Sequence, residues 1–149
     1  MAPPAYSSTA VLINTGLFEP DCVAVDATGN MYVADAATAT VVEFPVGSST
    51  PVTIASGFGN PKSMAVDAAD NLYIANGGAV YKIPAGGGAG VSIRFGFNSP
   101  AGVAIDAQGN LYVADAGSNS VVEFPVGGPP GCFIRGFQPA GQRCRRRYG

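Results

Sequence analysis

PAGVAIDAQGNLYVADAGSNSVVEF, residues Pro100 to Phe124, decides how this chain is read, because it occurs three times. Residues Pro20 to Phe44 read PDCVAVDATGNMYVADAATATVVEF. Residues Pro61 to Ile83 read PKSMAVDAADNLYIANGGAVYKI, two residues shorter. The aspartates at the matching point of each copy, Asp26, Asp67 and Asp106, lie 41 and 39 residues apart. A fixed period near forty marks a repeat architecture, in which each copy is one supersecondary unit that buries its apolar face against its neighbours.

Within a copy the apolar runs are short and rich in Val, Ile, Tyr and Phe, the residues that suit strands. In the third copy they are Gly102 to Asp106, Asn110 to Asp115 and Ser120 to Val126. A fourth strand follows at Pro51 to Ala55 in the first copy and at Val91 to Arg94 in the second. The turn DAQGN (Asp106 to Asn110) has a mechanism. Its aspartate accepts the amides that follow, and Gly109 takes the positive φ that closes a hairpin. DATGN (Asp26 to Asn30) repeats it, and DAADN (Asp67 to Asn71) puts Asp70 in the glycine's place. The three aspartates are therefore expected to be turn caps. Small residues recur at Ala24, Ala65 and Ala104 and at Ala34, Ala75 and Ala114. Tyr32, Tyr73 and Tyr112 share a face with the second set by the period-two alternation of a strand, and are expected to fill space between sheets.

Four-stranded units of about forty residues are the sequence pattern of propeller blades. The consensus P-x-x-V-A-V-D-x-x-G-N-x-Y-V-A-D followed by V-V-E-F resembles the NHL repeat across Leu17 to Val126. The expected fold is all-β: a partial β-propeller of three four-stranded antiparallel blades, half of the six-bladed ring that the resemblance implies. The expected divisions are a loose N-terminus at 1–8, the three blades at 9–130 and a degenerate basic tail at 131–149. Thr9 to Asn14 reads as the outer strand of a preceding blade, since GLFEP after it aligns with GFGNP (Gly57 to Pro61) and GFNSP (Gly96 to Pro100).

Composition removes several function classes. The chain of 149 residues contains no histidine, so imidazole zinc sites and Ser-His or Cys-His nucleophile pairs are excluded from it. The cysteines Cys22, Cys132 and Cys144 form no CxxC pair. The ten acids face only Lys62, Lys82 and Arg94 before the last fifteen positions, so the body should repel a phosphate backbone and no nucleic acid is expected. No apolar run approaches the roughly 20 residues of a membrane span, and no membrane insertion is expected. MAPPAYSST has neither the charged nor the apolar region of a signal peptide. Ala85 to Gly90 is glycine-rich but lies in a blade connection and reads as a turn, not a phosphate loop.

The resemblance sharpens these exclusions. RNA-binding members present a basic, aromatic face that this acidic, tryptophan-free body lacks. The amidating lyases of this fold rely on histidine. Calcium-dependent hydrolases gather Glu, Asn and Asp around the central channel, whereas the acids here sit in turn positions. The runs Glu43 to Ile54 and Glu123 to Gly128 resemble bacterial cell-surface NHL proteins, including sensor domains of receptor-type Ser/Thr kinases, which favours an extracellular or surface location. No catalytic residue, metal ligand or cofactor is expected. The expected function is a non-catalytic scaffold or sensor segment that offers one face of loops to a protein or a small ligand. The alternative is a fragment of a propeller hydrolase or lyase whose catalytic blades lie elsewhere. The loop residues singled out are Asp35, Asn60, Asn76, Asn98, Ser99, Asp115, Ser118 and Asn119, in loops of the kind that carry function. The competing reading is that they only satisfy turn backbone.

Two expectations concern the ends. A half ring exposes two blade faces, so two copies should close into a homodimer, with Thr9 to Asn14 of one chain completing the third blade of the other. After Gly131 the repeat breaks off, and Arg143, Arg145, Arg146 and Arg147 crowd the end. This reads either as a solvated basic tail or as residues out of frame. Codons for Gly141 to Gly149 shifted one base downstream permit ASVAVDATG, the start of another blade. On that reading Gln142 to Gly149 carries no function.

Overall fold

A computed structural model describes residues 3, 5, 9–13, 16–93 and 96–127. Eleven strands form three sheets in chain order. The first holds β1 (Pro20–Val25), β2 (Met31–Asp35), β3 (Thr40–Phe44) and β4 (Val52–Ser56). The second holds β5 (Pro61–Val66), β6 (Leu72–Asn76), β7 (Ala79–Ile83) and β8 (Val91–Ile93). The third holds β9 (Pro100–Ile105), β10 (Leu111–Asp115) and β11 (Ser120–Phe124). Every pairing is between consecutive strands and antiparallel, so each sheet is an up-and-down meander. Helix is confined among the described residues to one 3-10 turn, Ala116–Ser118. The chain is thus the all-β partial propeller read from its repeats.

The turns follow from their residues. Gly29 and Gly109 take positive φ at the β1–β2 and β9–β10 hairpins, and Asp70 takes φ 61° in the same place at β5–β6. The aspartate before each cap binds the turn: Asp26 Oδ1 accepts the Thr28, Gly29 and Asn30 amides at 2.9, 2.8 and 2.9 Å. Asp67 and Asp106 repeat the motif.

Alternation along the strands gives each sheet two apolar faces, and stacking buries them in pairs. The back of sheet one (Tyr32, Ala34, Val41) packs on the front of sheet two (Met64, Leu72, Ile74, Ile83). The back of sheet two (Ala75, Val80) packs on the front of sheet three (Leu111, Val113). Neighbouring sheets meet through their first strands, β1 on β5 and β5 on β9. An aromatic residue after each outer strand closes the wedge: Phe58 meets Tyr81 edge-on at 5.6 Å, and Phe97 meets Phe124 at 6.1 Å.

The two junctions carry different polar ties. At the first, the long β7–β8 connection crosses back and the Gly88 amide donates to the Ile54 carbonyl at 2.8 Å. Gly87 beside it has φ +91°, and a Cβ there would sit 2.6 Å from that carbonyl oxygen, so only glycine fits. At the second, the Val103 amide donates to Ser63 Oγ at 3.1 Å.

Two expectations are corrected. Residues 9–13 form no strand, although their propensity favours one. A strand needs a partner for its amides and carbonyls, and no described strand lies beside them. Asn14 lies outside the described residues. Ala114 is exposed, whereas its counterparts Ala34 and Ala75 are fully buried, because no described sheet covers the back of sheet three. The third sheet has three strands. A fourth would fall beyond residue 127, outside the described residues, as do Cys132, Cys144 and the whole 131–149 tail.

Ile74 lies between sheets with no exposed surface. Ile74→Ala should therefore cost about 2–5 kcal/mol in urea unfolding. Val46→Ala, at a mostly exposed side chain, should stay within about 0.5 kcal/mol.

Candidate functional site

The loops expected to share one face do come together, through the end of each second strand. Asp35 closes β2 and is buried, and its carboxylate reaches back to the segment before β1. There it accepts the Phe18 amide on Oδ2 at 2.9 Å and the Glu19 amide on Oδ1 at 3.0 Å. It also accepts the Ala37 amide at 3.1 Å, while the Ala36 amide returns a bond to the Glu19 carbonyl. Asp115 does the same in sheet three. Its two oxygens accept the Asn98 amide at 2.9 Å and the Ser99 amide at 2.6 Å, and Ser118 Oγ donates to it at 2.8 Å. Asn76 is the neutral version: its Oδ1 accepts the Asn60 amide at 2.9 Å. Asn98 Nδ2 also donates to the Gly117 carbonyl at 2.9 Å, and Asn119 ends the 3-10 turn in the left-handed region. All eight residues singled out by sequence are therefore brought together in two kinds of loop, and seven of them, all but Asn119, tie one to the other through an amide or side chain.

The opposite rim carries a second tie that the sequence reading missed. Asn30, Asn71 and Asn110 each donate through Nδ2 to the turn aspartate at 2.7, 2.9 and 2.8 Å. Through Oδ1 each accepts an amide beyond the end of the third strand: Val46 at 2.9 Å, Ala85 at 3.3 Å and Val126 at 2.9 Å. The tyrosine hydroxyls donate to the same aspartates, Tyr32 to Asp26 at 3.0 Å, Tyr73 to Asp67 at 3.3 Å and Tyr112 to Asp106 at 3.1 Å. The tyrosines thus pack between sheets and also cap. Their fixed spacing six residues after the aspartate is the signal for this role.

These bonds set the charge states. The Phe18 amide is the largest influence holding Asp35 below the ordinary carboxylate range, with burial opposing it. Burial pushes Asp115 up, but the Asn98 and Ser99 amides and the Ser118 hydroxyl outweigh it and leave the group low. Burial likewise opposes ionisation at Asp26, and bonds from Thr28, Asn30 and Tyr32 overcome it. Tyr32 is pushed up to about 12, first by burial and then by its bond to Asp26. Half-buried Cys22 is pushed up to about 11 by burial and by the charge of Asp21, so it is a thiol and not a nucleophilic thiolate at neutral pH. Among the described residues, no three His, Cys, Asp or Glu side chains gather as a metal donor set.

Comparison with known proteins places this geometry. The NHL repeat family matches residues 97–124, the third copy. The chain is an NHL-repeat β-propeller segment. Its fold is similar to hydrazine synthase of Kuenenia stuttgartiensis at a TM-score of 0.66 and 20% identity, over 89% of this chain and 38% of that one. The nidogen/laminin complex is similar at 0.60 and 19%, over 70% and 42%. A catalytically inactive virginiamycin B lyase from Staphylococcus aureus, with quinupristin, is similar at 0.62 and 13%, over 83% and 42%. The NHL segment thus spans about two-fifths of each of these chains. No curated protein matches it in sequence.

Two measurements test the ties. Asp35→Ala leaves the Phe18 and Glu19 amides without their acceptor and should cost about 2–3 kcal/mol, whereas Asp35→Asn, which mimics Asn76, should cost about 1 kcal/mol. Urea denaturation of both variants checks the order.

The pH dependence follows from the shifts. The aspartates have folded values below their unfolded value of about 3.9. Their contribution is complete above that pH and is lost as pH falls through the lower folded values. Tyr32 is raised, so its contribution is complete below about pH 10 and is lost as pH rises toward about 12. The Tm should be level from about pH 5 to 9 and fall on both sides, with Tyr32→Phe removing part of the alkaline loss.

Proposed function

We propose that this segment is a non-catalytic binding scaffold or sensor piece, and that it presents the loops after β2, β6 and β10 to a protein or small ligand. One observation carries the reading. The buried carboxylates on that face, Asp35 and Asp115, are occupied by backbone amides and held ionised, so they serve to fix loops and not to exchange protons. What is left facing solvent there is Ala37, Thr38, Gly77, Gly78, Gly117, Ser118 and Asn119: small side chains and open backbone on a rigid base. Rigid loops bind with little ordering cost, which suits recognition. The surface location expected for the kinase-sensor relatives agrees with this role.

The alternative, a piece of a propeller lyase or hydrolase, draws on the likeness to virginiamycin B lyase. That lyase is inactivated by a histidine-to-alanine change, and the present sequence contributes no histidine to any such site. The likeness is therefore one of fold.

An amide NMR titration with a fixed panel of short peptides and polar small molecules tests the proposal. Shift changes should gather on 36–39, 77–78 and 116–119. Changes scattered over the sheets, or turnover of a parallel panel of esters and lactones, would overturn it.

A further inference from the structure

The internal junctions define what each sheet face is built to meet, and two half-junctions stand open. The front of sheet one is the first. Val23 and Val25 are each 57% exposed, while Met64, in register with Val23 in sheet two, is 7% exposed and sits in a core. The back of sheet three is the second. Val121 is 52% exposed, while Val41 and Val80, in the same register, are fully buried.

The segment before β1 supplies a third, independent observation. Three residues before the aligned glycines Gly16, Gly57 and Gly96 stand Ile13, Ile54 and Ile93. Ile54 lies on β4 and packs against the first core; Ile93 lies on β8 and packs against the second. In both cases the strand that carries the isoleucine pairs with the third strand of the preceding sheet, β4 on β3 and β8 on β7. Ile13 has the sequence for the same place, yet it is 55% exposed, and Val11 and Leu12 beside it are 85% and 87% exposed. The strand it would pair with is a third strand with an open edge. Among the described residues β11 is that strand, since it pairs with β10 alone.

We infer that the occupant of each open half is a second copy of this chain, docked head to tail. Residues 9–13 of one copy add to β11 of the other as its fourth strand. The Val23 and Val25 face then covers the Ala114 and Val121 face. The contact reproduces the two junctions inside the chain: apolar front on apolar back, an outer strand running along a third strand, and an isoleucine sealing the wedge. Such a contact is heterologous, so each copy offers one head and one tail. An edge strand beside an exposed apolar face is the usual template for this addition.

Complementation of two surface variants tests the inference on the full chain. Ile13→Asp with Val23→Asp blocks the head, and Val121→Asp blocks the tail. All three side chains are exposed in the single chain, so each variant should keep the circular dichroism of the parent. By analytical ultracentrifugation the parent should sediment above monomer mass at micromolar concentration. Each variant alone should be monomeric. Their equimolar mixture should regain a one-to-one pair and nothing larger, because only one intact head and one intact tail remain. A parent that stays monomeric at 100-fold higher concentration would overturn the inference. So would variants that still self-associate, or a mixture that stays monomeric while both variants remain folded.

Discussion

A short antiparallel meander is floppy at its ends unless something other than the ladder fixes them, and here a side-chain oxygen accepting distant backbone amides does so. Asp35, Asn76 and Asp115 close the second strand of each sheet onto the segment that enters it. The strand ladders need this tie, because the segment before the first strand would otherwise have unsatisfied amides beside a buried edge. Asp35 and Asp115 are among the few buried polar residues of the described chain, and among the described residues no buried side-chain polar atom is left without a partner.

The second tie works on the other rim with different chemistry. An asparagine bridges the first turn to the end of the third strand, donating to one and accepting from the other. Asparagine is suited to this because its amide has both functions in one plane. With strands of three to six residues, ties at both rims hold what hydrogen-bond ladders of that length hold poorly alone. The apolar faces can then be almost wholly small and β-branched, as Ala34, Ala75, Val41 and Val80 are. Close approach between sheets needs small residues, and small residues give up the large side chains that would otherwise lock the stack.

How much of this was legible depends on the distance over which each residue acts. The turn role of Asp26 was readable because its partners, Thr28 to Asn30, are its sequence neighbours. The strand positions were readable because Val-Tyr alternation is local, and the repeat confirmed each run three times over. The reach of Asn30 to Val46 and of Asp35 to Phe18 spans sixteen and seventeen residues, and no local pattern names such partners. The loops around Asp35 and Asp115 were correctly grouped, but by analogy with propeller loops and not by chemistry, so their buried carboxylates were not foreseen. Thr9 to Asn14 failed for the opposite reason. Its propensity for a strand is real, but propensity supplies no partner, and residues 9–13 stay unpaired in the single chain.

The unlike ties at the two junctions make the three repeats less interchangeable than their text suggests. The first junction depends on a backbone crossing at Gly87 and Gly88 that admits no side chain, and the second on one serine hydroxyl. Each copy has become specific to its neighbour. Shuffling the order of the copies, or replacing all three by their consensus, would keep every strand and turn and still lose both joints. The identity of this protein therefore resides as much in the order of its repeats as in their shared sequence.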